Sequence, residues 1–225
     1  MEIKRYHKEN DGYILLMDYS KFYDNIPHDI AYREIAKHVN DEFSLWLLQQ
    51  IFDNFKIDVS YMNDEEFSNC MNVPFNSTEY RLKIPKSAHT GEKYMRKSVN
   101  IGDQCSQIIG IFYPTPVDNF VKIVKGQKFY GRYMDDSYVI HRDREFLVQL
   151  EIEIAEKAKE LGMTLNRKKT RIVKLSDYYK FLQITYSLTD TGRVIRKINP
   201  KRIVDMRRKL KKLSLKVIRG ERTQE

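Results

Sequence analysis

The 225-residue chain is predicted to be an α+β protein, and three observations carry that reading. Short apolar runs alternate irregularly with helical stripes, without the regular strand-helix-strand order of a doubly wound parallel sheet. Two of the runs, 128–133 and 137–141, flank a tight turn and predict an antiparallel hairpin at the centre of the chain. With 41% hydrophobic residues, nine Gly and six Pro, the composition can fill a core and excludes collagen, low-complexity linkers and a wholly disordered chain.

The elements follow in order. Residues 13–19, Tyr-Ile-Leu-Leu-Met-Asp-Tyr, form an apolar run ending in a carboxylate, a buried strand that delivers Asp18 at its C-terminal edge. A helix is predicted over 29–38. A second, capped by Asp41, carries Phe43, Leu47, Leu48, Ile51 and Phe55 toward the core. Between 57 and 99 the pattern breaks into pieces rich in Asn, Ser, Glu and Lys, with Pro74 and Pro85, read as weak strands and loops. Gly102 opens a helical stretch over 104–124 that Pro114 and Pro116 should kink or split. The hairpin holds Met134, Asp135 and Asp136 in its turn. A helix over 143–161 places Phe146, Leu150, Ile154, Ala158 and Leu161 on one stripe and ends at Gly162, a C-terminal cap. Strands near 163–165, 170–175 and 179–187 lead through a Thr189–Gly192 turn to a return strand at 193–197, and a basic helix starts at Pro200. There is no internal repeat.

Charge divides the chain unevenly. Lys and Arg number 40 against 31 Asp and Glu, a formal net charge of +9. Residues 193–225 hold thirteen of those cations against Asp205, Glu221 and Glu225, and the rest of the chain balances 27 against 28. Such a basic segment on a nearly neutral body suits a phosphate-tracking surface, and equally a solvated helix face. No run of 18 apolar residues predicts a membrane span, and the Met1–Arg5 start lacks the apolar run of a signal peptide, so a cytoplasmic protein is expected. Cys70 and Cys105 form no disulfide framework or zinc pattern and are expected to be buried small hydrophobes.

Three acids stand out: Asp18 at a strand end, and Asp135 with Asp136 at the hairpin. If their strands are neighbours in one sheet, these carboxylates share a site. Hard oxygen donors of this kind suit Mg²⁺, which takes a few carboxylates and completes its octahedron with water and substrate phosphates. Two such ions about 4 Å apart activate an attacking hydroxyl and stabilise a leaving oxygen in phosphoryl transfer. An Asp pair in a hairpin is, taken alone, also ordinary turn chemistry.

The words around these acids resemble a known family, the reverse transcriptases. Tyr133-Met134-Asp135-Asp136 resembles the family's Y-x-D-D catalytic hairpin, and Asp18-Tyr19-Ser20-Lys21-Phe22-Tyr23, followed by Ile26-Pro27-His28, is similar to its first catalytic motif. The resemblance implies a polymerase palm: an antiparallel sheet with packed helices, partial fingers and the start of a helical thumb. It implies that Asp18 and Asp135 hold Mg²⁺, with Mn²⁺ as a substitute, that the Tyr19 carbonyl assists, and that Asp136 is the third acid. Tyr23 falls at the aromatic position that crowds a ribose 2′-OH and favours deoxynucleotides.

Ile101-Gly102-Asp103-Gln104-Cys105-Ser106-Gln107 occupies the place of the family's template and nucleotide motif, commonly Gln-Gly-x-x-x-Ser-Pro. Ile101 in place of Gln, and Gln107 in place of Pro, resemble the variant of diversity-generating retroelement enzymes and some bacterial groups, and point to a bacterial or phage type. Ile101 donates no hydrogen bond to an incoming nucleotide, so reduced fidelity is expected. Lys169, before Thr170, matches a position that the resemblance makes the general acid for departing pyrophosphate. Phe181-Leu182-Gln183 resembles the primer grip, with Gln183 where the family usually has Gly. Arg196, Lys197, Lys201, Arg202 and Arg208 would then meet nucleic-acid backbone.

The resulting plan is a palm over 1–197 with a fingers-like insertion at about 57–99, and a basic helix over 198–225 that begins the thumb. Only seventeen residues precede Asp18, among them Lys4, Arg5 and Lys8, so the remaining fingers and thumb regions, or an accessory protein, are expected as partners. The activity expected is RNA-directed DNA polymerisation from a primer 3′-OH, with an RNA template, a DNA or RNA primer and deoxynucleoside triphosphates. Two alternatives stay open: a truncated, catalytically incompetent palm that binds nucleic acid, and a nucleotide cyclase or related palm-like phosphoryl transferase.

Overall fold

The computed structural model describes residues 12–72, 74, 75, 77, 84–102, 104–198 and 200–220; the early basic residues Lys4, Arg5 and Lys8, and the last five residues, lie outside them. The chain divides into two compact units, Ile14–Ile172 and Met1–Tyr13 with Val173–Glu225.

In the larger unit the apolar run near the start forms β1 (Tyr13–Met17), with Ile14, Leu15, Leu16 and Met17 all buried. A strand buried on both faces must be internal to its sheet. The order is indeed β4-β5-β1-β6, where β4 is Tyr130–Tyr133, β5 Asp136–His141 and β6 Arg171–Lys174. The predicted hairpin is β4-β5, antiparallel, with Tyr130 opposite Val139 and Tyr133 opposite Asp136. Asp136 is therefore the first residue of a strand, and the turn itself is Met134-Asp135.

Helices α1 (His28–Ala36) and α2 (Glu42–Phe55) follow β1, and the Asp41 carboxylate caps α2 by accepting from the Ser44 N–H at 2.7 Å. The predicted inward stripe of α2 needs correction. Phe43 and Leu47 are exposed, and Phe52 with Phe55 supplies the buried contact, because only the last turn of the helix meets the core. The segment after α2 is more ordered than its composition predicts. It contains β2 (Ile57–Asp58), α3 (Asp64–Asn72) and β3 (Tyr94–Met95), with β2 and β3 paired antiparallel over a small core of Ile57, Val59, Met62, Phe75 and Met95. Helix α3 escaped the sequence reading because its apolar stripe is short, Phe67, Cys70 and Met71, and none of its residues is fully buried, Phe67 and Cys70 being only partly covered against that core.

The predicted 104–124 stretch is split at its prolines into α4 (Gln104–Phe112), α5 (Thr115–Asn119) and a π-helical turn over Phe120–Val124. Cys105 on α4 is exposed, not buried as expected, since the N-terminal turn of α4 faces outward; Cys70 is intermediate. Helix α6 (Arg144–Glu160) packs on β5 through Leu147, Leu150, Ile154 and Ala158, and Asp143 caps it. It ends in a Schellman motif, with Met163 N–H donating to Ala158 and Gly162 N–H to Lys159, both at 2.9 Å. Gly162 has φ +77, and a Cβ there would stand 2.7 Å from Pro27 Cγ, so this position requires glycine twice over.

In the smaller unit β7 (Tyr179–Phe181), β8 (Ile184–Leu188) and β9 (Val194–Ile198) form an antiparallel sheet in sequence order. The single strand predicted over 179–187 is thus two strands. Leu182 and Gln183 between them have φ +48 and +69, the left-handed pair that a two-residue hairpin needs. Helix α7 (Pro200–Ile218) follows, amphipathic and exposed along its described length. Among the described residues no helix is long and apolar enough to cross a membrane.

Candidate active site

Asp18 leaves the end of β1 and is 7% exposed. The segment after α6 returns beside it. Tyr19 bridges Leu165 antiparallel, Ser20 N–H donates to the Thr164 carbonyl at 2.8 Å, and Asn166 N–H donates to the Asp18 carbonyl at 2.8 Å. The strand predicted at 163–165 is reduced to that bridge. A tight turn then brings Lys169 back, its N–H donating to the Asn166 carbonyl at 3.0 Å. Both carboxylate oxygens of Asp18 are engaged, Oδ2 by Lys169 Nζ at 2.8 Å and Oδ1 by Asn166 Nδ2 at 3.3 Å. Asn166 was not singled out from the sequence, although an Asn whose Oδ1 accepts from the N–H two residues on, here Lys168 at 3.2 Å, is a recognisable turn signal.

Asp135 and Asp136 sit half-buried on the neighbouring hairpin. Burial pushes both carboxyls above the usual carboxylate range; Asp18 adds to this for each, Asp135 adds for Asp136, and Lys169 pulls the other way. Lys169 is held above its ordinary value, first by its hydrogen bond to Asp18. The structure therefore brings Asp18, Asp135, Asp136 and Lys169 into one electrostatic neighbourhood with an excess of negative charge. Among the described residues no group of three or more His, Cys, Asp or Glu is gathered closely enough to hold a metal ion. The donor chemistry fits a hard cation nonetheless, with carboxylate oxygens whose mutual repulsion a divalent ion would relieve.

Tyr19 is 3% exposed, its backbone bridging Leu165 and its ring lying 5.9 Å from that of Phe22. Tyr23 lies in a 3₁₀ turn that Asn25 anchors: its Oδ1 accepts from the Phe75 N–H at 2.7 Å and its Nδ2 donates to the Lys21 carbonyl at 2.9 Å. The Tyr23 hydroxyl reaches Met134 Sδ at 3.5 Å, so this ring touches the turn of the β4-β5 hairpin. Its other side lies against α4, where a Cβ on Gly110 would meet the hydroxyl at 2.9 Å. Ile101 is 76% exposed and Gly102 has φ +112, while Gln107 is exposed on α4. Among the described residues of that word Ser106 is the buried one, its hydroxyl donating to the Asn100 carbonyl.

The remaining predicted residues belong to the smaller unit. Phe181 ends β7 and Leu182-Gln183 is the β7-β8 turn. Arg196 and Lys197 are exposed on β9, with Lys197 Nζ 5.3 Å from the centre of the Tyr178 ring. Lys201, Arg202 and Arg208 are exposed on α7, where Arg208 lies 3.9 Å from Asp205.

A core strand ending in an acid thus stands beside an antiparallel hairpin carrying two more, in a sheet of order β4-β5-β1-β6. The family model for reverse transcriptase (RNA-dependent DNA polymerase) matches residues 2–186, and the chain belongs to that family. Similar solved structures include apo telomerase from Candida tropicalis truncated from its C-terminal domain, at 15% identity and TM-score 0.49 over 83% of this chain and 36% of that one. Another is apo telomerase from the same organism, at 17% identity and TM-score 0.49 over 83% of this chain and 33% of that one. The chain spans about a third of the length of each. No curated protein matches.

Proposed function

We propose that the chain is the catalytic palm of an RNA-directed DNA polymerase, extending a primer 3′-OH with deoxynucleotides on an RNA template. The observation that carries this is the pairing of Asp18 with Lys169 beside Asp135 and Asp136 in a chain of the reverse transcriptase family. In the reaction the primer oxygen bonds to the α-phosphorus, the bond to the β-phosphate oxygen breaks, and pyrophosphate departs. Asp18 and Asp135, with the Tyr19 carbonyl and Asp136, would hold divalent metal, which supplies activation of the hydroxyl and charge stabilisation. Lys169 neutralises charge building on the leaving oxygens or gives them a proton. Tyr23 crowds the 2′ position, Ile101, Gly102 and Gln107 line the nucleotide side, and with Ile at 101 offering no hydrogen bond the incoming nucleotide is selected by shape, at reduced fidelity. Phe181, Leu182 and Gln183 support the primer end, and Arg196, Lys197, Lys201, Arg202 and Arg208 meet phosphates. The division into a palm with an insertion at 57–99 and a thumb helix beyond 197 belongs to the same reading, as does a bacterial origin.

The test is primer extension on an RNA template with Mg²⁺ and deoxynucleotides, beside Asp135→Ala and a ribonucleotide control. Extension that vanishes in the variant is expected. No extension, with duplex binding that weakens steeply as salt rises, would instead make the chain a nucleic-acid-binding palm. Short cyclic products from single nucleotides without primer would make it a cyclase.

A further inference from the structure

Arg132 lies on β4 two residues before Met134, and its side chain is 9% exposed. Four of its five N–H donors are spent. Nε donates to Asp118 Oδ1 at 2.8 Å, and one terminal nitrogen donates both to Asp118 Oδ2 at 2.6 Å and to the Ile111 carbonyl at 2.9 Å. The other terminal nitrogen donates to the Met134 carbonyl at 2.9 Å. Asp118 is itself held by the Tyr130 hydroxyl at 2.5 Å. One planar group thus ties three places together: α5 through Asp118, the last turn of α4 through Ile111, and the turn that carries Asp135.

Each tie meets a need. Helix α4 stops at Phe112, ahead of Pro114, so the Ile111 carbonyl has no intrahelical partner. Met134 has φ +54, a left-handed conformation that is strained for a non-glycine residue and persists where surrounding bonds over-determine it. The Arg132 bond to the Met134 carbonyl is such a determinant, and the fork geometry that reaches three acceptors at once belongs to guanidinium and not to ammonium.

We propose that Arg132, anchored by Asp118, is a positioning residue that fixes the Met134-Asp135 turn against α4 and so sets where Asp135 and Asp136 stand. Its kinetic consequence rests on the polymerase reading; its structural consequence does not.

The experiment uses the full chain labelled with ¹³C at the methionine methyls, with Met134 assigned by substitution. In Arg132→Lys the Met134 methyl is expected to shift or broaden, while the buried Met17, Met95 and Met163 keep their positions. An unmoved Met134 overturns the proposal. In primer extension the same variant should lose about 10–100-fold in kcat, the scale at which groups that orient a site act, with KM for the deoxynucleotide nearly unchanged. A kcat equal to wild type overturns the proposal as well. If wild type extends nothing, the polymerase reading fails and the Met134 resonance alone decides the role of Arg132. Should Arg132→Lys scatter all the methionine signals by unfolding, Asp118→Asn, which keeps the shape and weakens the anchor, is read the same way: a selective Met134 shift supports the proposal and its absence overturns it.

Discussion

Lys169 Nζ stands 2.8 Å from Asp18 Oδ2, so the candidate proton donor is paired with the first of the candidate metal-binding acids. The ammonium is 64% exposed and the carboxylate 10%, which leaves the lysine free to swing while the acid stays in place. Bound to Asp18 it holds its proton more firmly than an ordinary lysine. Serving a departing pyrophosphate therefore requires Lys169 to exchange Asp18 for phosphate oxygens. Lys169→Met should slow single-nucleotide insertion about a hundredfold, the lower end for general acid catalysis. Lys169→Arg separates the two roles, because Arg carries the charge and does not release a proton. Recovery in Arg assigns charge neutralisation, and loss in both assigns proton donation. A wild-type rate in Lys169→Met would remove the residue from the mechanism.

The acids of the hairpin should cost the fold stability. Burial first, then the Asp18 charge on both and the Asp135 charge on Asp136, raise the two carboxyls, so the folded state binds more protons than the unfolded chain once pH passes the usual carboxylate value. Stability then falls as pH rises through that window, and the cost is complete once both carboxyls have ionised in the folded state. Asp135→Asn is therefore expected to melt higher than wild type without divalent cation, by a few degrees on a scale of about 2–4 °C per kcal/mol. It should also lose the stabilisation that Mg²⁺ gives the wild type. Scanning calorimetry in EDTA and in Mg²⁺ checks both, and a lower melting temperature in EDTA would refute the account.

His28 gives the opposite sign. Its ring is 3% exposed, Nε2–H donates to the Ser98 carbonyl at 2.6 Å, and Nδ1 has no hydrogen-bond partner among the described residues. Burial holds its pKa below the ordinary histidine value. The unfolded chain takes up a proton near pH 6.5 while the folded one resists, so stability is complete above that value and is lost as pH falls below it. The slope reaches at most about 1.4 kcal/mol per pH unit. Urea midpoints at pH 7.5 and 5.5 should differ more for wild type than for His28→Gln. Equal differences would show that this ring does not titrate on unfolding.

Where a buried element showed as a continuous apolar run, as two runs about a tight turn or as a helical stripe, the fold was readable: β1, the β4-β5 hairpin, α6 and its Gly162 cap all stand where expected. Legibility failed where burial was partial. Helix α3 has no fully buried residue, only Phe67 and Cys70 partly covered, and Phe43 and Leu47 of α2 face solvent despite their helical spacing. The strand read over 179–187 hid its turn because Leu182 and Gln183 are not the residues that left-handed backbone usually selects. The acids of the site were legible as words. The groups that hold them, Asn166, Asp118 and Arg132, were not, because each acts through contacts made only once distant elements meet.

Gly110 was equally silent, and its consequence is specific. Its ideal Cβ would stand 2.9 Å from the Tyr23 hydroxyl, 3.0 Å from Cε1 and 3.1 Å from Cζ, while Met134 Sδ lies 3.5 Å from that hydroxyl. Tyr23 thus touches both α4 and the hairpin turn, and an added methyl must displace the ring. Ala in a helix is ordinarily favoured over Gly by about 0.5–1 kcal/mol, but overpacking costs about 1–3 kcal/mol. Gly110→Ala should therefore lower deoxynucleotide insertion about tenfold and change the ratio of deoxy- to ribonucleotide use, with a net loss of stability of up to about 2 kcal/mol. Tyr23→Phe removes the atom nearest the new methyl, so the double variant should recover much of the insertion that Gly110→Ala loses. A double-mutant cycle on insertion efficiency measures that coupling. Additive effects would show that the ring and the glycine do not constrain each other, and the position of Tyr23 would then need another support.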